Sequence, residues 1–163
     1  MKYGKRLWLA LGVFAAAIVA LDQWTKALVV ANIPEGGKVP VIDGLFHLTY
    51  VRNAGAAFSM LSGMRWLFLA LLAAFFALLW YLIRKEFFTG RAELWCLAAI
   101  CGGALGNAVD RALAGTVVDM IEVEFMRFAV FNVADSFITC GAVALVICIL
   151  FLRKKEPAQG AGA

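Results

Sequence analysis

The sequence predicts an all-α membrane protein. It is expected to have four transmembrane helices, with a small β-sheet or cradle and a short amphipathic segment on the outer (periplasmic-side) face. Three observations predict this. The chain of 163 residues is 64% hydrophobic, with mean hydropathy +0.87, whereas a soluble domain is about half apolar. Four apolar runs approach the roughly 20 residues a span requires. Basic residues gather at alternate ends of those runs. One small core cannot bury this much apolar surface, so the bilayer must be the solvent.

The first span is expected over about residues 7–28, behind the basic start Lys2, Lys5 and Arg6. That start resembles a signal peptide. The run continues to Asp22 and Lys26 with only the weak cleavage match Ala15-Ala16-Ala17, so an uncleaved helix is expected. The outer segment 29–64 follows. Pro34 to Gly37 and Ile42 to Gly44 read as turns, and Gly44 to Arg52 alternates as a strand does. The second span covers about 65–83 and the third about 93–110, with Arg84, Lys85 and Arg91 between them. Gly102, Gly103 and Gly106 crowd the third span, where small residues allow close contact with either another helix or a substrate backbone. The second outer segment, 111–131, contains Glu122-Val123-Glu124, which reads as a short amphipathic piece at the interface. The fourth span covers about 132–152 and is followed by Arg153, Lys154 and Lys155. Residues 153–163 form a cytoplasmic tail whose end, from Pro157, has the composition of a disordered terminus. The whole chain reads as one membrane-embedded domain.

The three basic clusters share one side, which the positive-inside rule makes cytoplasmic, so both termini are expected there. A net charge of +4 suggests nucleic acid in a soluble chain, but here it is spent on orientation, and no nucleic-acid partner is expected. Cys96, Cys101, Cys140 and Cys148 lie inside apolar runs without metal-ligand spacing and read as small buried fillers. No metal or cofactor is expected.

With this orientation Asp22, Asp110, Asp119 and Asp135 all fall toward the outer boundary. Carboxylates near hydrocarbon are costly, and a functional site is their default reading. Asp22 and Asp110 have basic neighbours, Lys26 at i+4 and Arg111 at i+1, and an ion pair or helix-end role suits them as well. Asp119 sits in an apolar setting, while Asp135 opens an apolar helix behind Asn132; a loop acid or an N-cap are the plain alternatives. His47, the only histidine, has no partner nearby in sequence and reads as a satisfied surface or packing residue. No Ser-His, Cys-His or HExxH arrangement is present, which leaves a carboxylate pair for hydrolysis. Two close carboxyls share a proton, so one takes a proton from water while the other donates to a carbonyl oxygen. Asn53, Asn107 and Asn132 are placed to bind peptide groups or to brace the acids. A small proton-relay transporter is one rival reading, but it requires midplane acids, broken helices and an internal repeat. A scaffold whose polar clusters only pair helices is another, and it predicts tolerance of Asp119→Asn and Asp135→Asn.

Five pieces occur in order: Asp22-Gln23-Trp24-Thr25-Lys26, Val51 to Phe58, Gly102 to Arg111, Val117-Val118-Asp119-Met120, and Phe131 to Ser136. In these the chain resembles the lipoprotein signal peptidases (signal peptidase II), over about residues 8 to 152. Met120 stands where the family commonly has Phe, and the stretch between Asp119 and Asp135 looks short, as if an outer loop were trimmed. The resemblance implies an aspartic endopeptidase of the bacterial inner membrane, acting as a monomer near the outer leaflet. Its substrates would be prolipoproteins carrying a lipobox and a diacylglyceryl-modified cysteine, cut just before that cysteine. Membrane lipids and globomycin-type inhibitors are the other partners implied. By motif, Asp119 and Asp135 match the catalytic pair. Asp22, Lys26, Asn53, Gly55, Asn107, Asp110, Arg111 and Asn132 match positions that bind substrate or brace the site.

Overall fold

Four apolar helices and one three-stranded sheet arise from these patterns in a computed structural model, which describes residues 3–55 and 60–152. Lys2, the motif residues Ala56 to Phe58, the basic group Arg153 to Lys155 and the tail lie outside the described residues. Helix α1 runs Lys5–Asn32, α2 Arg65–Arg84 and α3 Arg91–Leu113. Helix α4 runs Val133–Ile147 and continues through a wider π turn, Cys148–Leu152. All four are long and apolar enough to cross a membrane, so the expected spans are present within a few residues. The exception is the end of α1, which extends to Asn32. Its last turns leave the bundle and pack against the sheet, where Val29 and Ile33 join Tyr50 and Met120 in a buried cluster. Asp22 therefore sits well below the helix end rather than at it.

The glycines of α3 decide how the helices meet. A Cβ at Gly102 would lie 2.9 Å from the Ala15 carbonyl oxygen of α1, and one at Gly103 would collide with the Ala134 carbonyl of α4. At Gly106 it would lie 2.7 Å from Asp22 Oδ2. Of the two uses open to these residues, close helix packing is the one observed. In a bilayer, where apolar side chains gain little by leaving lipid, such close backbone approach is a main source of helix association. Helix α2 has no such face, and of its residues only Leu79 is buried. Leu79 clusters with Leu11, Leu94, Leu97 and Ala98, which closes the bundle at one end. At the other end α2 stands away from α3 and α4.

The sheet caps that open end. Strands β1 (Lys38–Ile42), β2 (Phe46–Asn53) and β3 (Val117–Val123) lie in that order, both neighbours antiparallel. The alternation in 44–52 thus forms β2. The short amphipathic piece Glu122-Val123-Glu124 is the end of strand β3, with Glu124 just beyond it. His47 is satisfied, as the sequence suggests, by partners distant along the chain. Its Nε2 lies 2.7 Å from Glu122 Oε2 and its Nδ1 2.7 Å from Glu124 Oε1. Hydrogen bonds to Glu122 and then Glu124 raise its pKa above the usual histidine value. Lys38 completes this clasp at 2.9 Å from Glu122 Oε1. Cys140 also departs from expectation: it is exposed on α4, and only Cys148 of the four thiols is fully buried.

Candidate active site

Strand β3 delivers Asp119, and the chain returning beside β3 delivers the start of α4. Phe131 exchanges backbone hydrogen bonds with Ile121, donating at 3.1 Å and accepting at 2.8 Å. This bridge sets Asn132 next to Asp119. Asn132 is the N-cap of α4: its side chain accepts from Asp135 N at 2.9 Å, and Asp135 Oδ2 accepts from Asn132 N at 3.2 Å. The reciprocal pair satisfies helix-end donors that would otherwise lack partners, and it fixes where Asp135 points. Asp135 is thus not the N-cap that the sequence allows but the third helical residue, whose carboxyl both closes the cap and faces the site.

Two asparagines join the two acids. Asn107 Nδ2 donates to Asp135 Oδ1 at 2.7 Å, and Asn132 Nδ2 donates to Asp119 Oδ1 at 2.8 Å. Asn132 Nδ2 also donates to Asn107 Oδ1 at 3.0 Å. Asn53 Nδ2 donates to Asp119 Oδ2 at 2.9 Å. This last bond follows from register. Val51 faces Asp119 and Asn53 faces Val117, so Asn53 and Asp119 are diagonal neighbours on one face of the sheet. Burial leaves Asp119 3% exposed. It pushes the carboxyl up to about 6, opposed by the Asn53 and Asn132 amides and reinforced by the charge of Asp135.

Behind the acids lies a charged cluster. Lys26 Nζ lies 2.7 Å from both Asp22 Oδ2 and Asp110 Oδ2, and donates to Asn107 Oδ1 at 3.0 Å. Asp22 Oδ1 accepts from Ala134 N at 3.0 Å, tying α1 to the first turn of α4. The sequence paired Asp110 with Arg111, but consecutive helical residues do not face each other. Arg111 instead crosses to α2 and the outer loop. Its guanidinium lies 4.5 Å from the Phe68 ring centre, and Nη2 donates to the Gly55 carbonyl at 2.8 Å. Arg52 stays on the sheet, where its Nε donates to Tyr50 Oη at 2.7 Å. Gln23, for which the sequence suggests no role, joins this cluster. Its Nε2 donates to Asp110 Oδ1 at 2.8 Å and to the Gly106 carbonyl at 3.2 Å. Its position beside Asp22, one residue along a helix known to face the site, was the only signal available.

Asp119 and Asp135 line one cavity of about 820 Å³. It lies where α2 stands off from α3 and α4, and Asn53, Asn107 and Arg111 are at its polar end. Phe68, Leu72, Phe75, Ile100, Ala104 and Ile138 make the rest apolar. Both acids thus face a space with a mostly lipid-like wall, of a size that holds a peptide segment.

A family model described as Signal peptidase (SPase) II matches residues 14–151. A lipoprotein signal peptidase of Streptococcus thermophilus (strain CNRZ 1066) is 42% identical, over 90% of this chain and 94% of its own. One from Brevibacillus brevis is 43% identical, over 87% and 95%. A solved bacterial membrane enzyme structure, 30% identical, superposes with a TM-score of 0.80 and covers 91% of this chain and 94% of that one. Together with the four spans, these likenesses make the chain a multi-pass membrane protein.

Proposed function

The chain belongs to the signal peptidase II family, and on that premise we propose that it removes signal peptides from prolipoproteins by aspartic catalysis, with Asp119 and Asp135 as the acting pair. As a member of the family it is a peptidase, a hydrolase acting in lipoprotein maturation. The observation that carries the aspartic reading is the arrangement of these two carboxyls. They come from different elements, are linked through Asn107 and Asn132, and face one apolar cavity.

The chemistry needs one proton on the pair. The ionised carboxylate takes a proton from water, which attacks the scissile carbonyl carbon. The protonated partner donates to the carbonyl oxygen. The tetrahedral intermediate then collapses: the C–N bond breaks, the proton taken from water passes to the leaving amine, and one hydroxyl proton of the intermediate returns to the partner carboxylate as the carbonyl re-forms. Burial favours the protonated form of Asp119, and the amides of Asn53, Asn107 and Asn132 stabilise whichever carboxylate is charged. Arg111 braces the outer loop through the Gly55 carbonyl, and Asp22, Lys26 and Asp110 brace the helices.

The substrate is a prolipoprotein with a lipobox and a diacylglyceryl-modified cysteine, cut before that cysteine. Its acyl chains keep it in the bilayer, so its signal helix enters from lipid along the apolar wall beside α2 while the scissile bond rises to the acids. Globomycin-type peptides would occupy the same space. The enzyme works as a monomer in the bacterial inner membrane, with both termini cytoplasmic and the sheet outside.

Turnover of a lipidated precursor tests the pair. Asp119→Asn and Asp135→Asn keep size and fold but cannot take or share the proton. Each is expected to lose at least roughly the 10²–10⁴-fold attributed to general acid–base catalysis, at matched levels of folded protein. Retention of more than about a tenth of normal turnover by either variant, far above that loss, excludes it from the pair.

A further inference from the structure

We infer that Lys26 is a positioning residue for this reaction, holding the Asn107 amide so that its N–H group faces Asp135. The inference rests on the assignment of Asp119 and Asp135 above. An ammonium can only donate, so its 3.0 Å contact requires the oxygen of Asn107 to face it. The amide nitrogen of Asn107 is thereby turned to Asp135. The same oxygen accepts from Asn132 Nδ2, whose own orientation is set by the helix cap and by the Val118 carbonyl. One buried cation, 3% exposed, therefore shares with Asn132 the task of keeping the Asn107 oxygen away from Asp135 and adds positive charge beside the amides that join the two acids.

The charged groups around this chain are few. Helix α1 contributes Lys26 and Asp22, α3 contributes Asp110 and Arg111, and α4 and β3 contribute the two acids themselves. Arg111 is turned to Gly55 and Phe68, so Lys26 is the cation that bonds to the amides. Without it the Asn107 oxygen keeps only its bond from Asn132, so the Asn107 donor is held less firmly on Asp135. Loss of the lysine also leaves Asp22 and Asp110 without their shared counter-charge. Both changes favour protonation of the pair.

The expected result with Lys26→Met is that both limbs of the pH profile of kcat/KM move to higher pH by roughly one unit, the scale of losing a nearby opposite charge. A loss of kcat near neutral pH should exceed any change in KM. Lys26→Gln, which retains a donor for the Asn107 oxygen without the charge, should recover part of kcat. A merely structural lysine would lower the yield of folded enzyme and leave the limbs in place. Unshifted limbs together with equal kcat for the Met and Gln variants would overturn the inference while leaving the acid pair intact. Turnover by Asp119→Asn, in contrast, would remove the pair itself.

Discussion

Asp119 combines a strand position, a buried carboxyl and two amide donors, and its pH behaviour follows from that mixture. The folded protein holds a proton on this group up to about pH 6, above the usual carboxyl range. The proposed mechanism requires the pair to carry one proton, so activity is expected to fall as pH rises through the upper apparent pKa of the pair and the acid is lost. We expect an alkaline limb in kcat/KM with its midpoint near 6. The limb in kcat should lie higher, because bound substrate excludes more water and disfavours the charged form further. A kcat/KM profile that stays flat from about pH 5 to 8 would be incompatible with a shared proton. The same residue illustrates what spacing conveyed. Val-Val-Asp-Met-Ile marked an acid in apolar company. It did not disclose the Asn53 diagonal, which exists only once β2 and β3 are in register.

At the scale of elements, α3 is the piece on which the site is assembled. Its glycines let α1 and α4 approach so closely that Asp22 bonds the backbone of Ala134. Gly103→Ala would drive a methyl group into the Ala134 carbonyl, one residue from Asp135. Overpacking of this kind costs about 1–3 kcal/mol. We therefore expect a lower thermal midpoint in detergent together with a loss of turnover in excess of the loss of folded protein. Gly12→Ala, where nothing lies within 4 Å, serves as the control. Equal behaviour of the two variants would show that the α3–α4 contact does not set the site. The crowding of glycines was plain in the sequence. Which neighbour each one met was not, since packing and substrate approach call for the same small residue.

For the whole molecule the consequence is orientation. Lys2, Lys5 and Arg6, then Arg84, Lys85 and Arg91, then Arg153 to Lys155 flank the spans at alternate ends, and the positive-inside rule predicts that they share the cytoplasmic side, with the acids toward the other. Reporter fusions after α2 and at the C-terminus should both report the cytoplasm, and one placed in the turn between β1 and β2 should report the exterior. A C-terminal reporter found outside would invert the molecule and bring the acids to the wrong leaflet for a substrate presented from the exterior.

The sequence by itself determined the solvent and the four spans, and it singled out the four aspartates that the structure brings into one network, because hydropathy and short motifs are local properties of the chain. Only the tertiary structure decided that Lys26 bridges Asp22 and Asp110, that Arg111 turns away from its neighbour to Gly55, and that His47 is clasped by Glu122 and Glu124. The physical reason is common to all three. A hydrogen bond or ion pair forms with whatever group stands within about 3 Å. For residues on different helices or strands, that group is chosen by helix rotation and strand register, which the spacing along one segment does not contain.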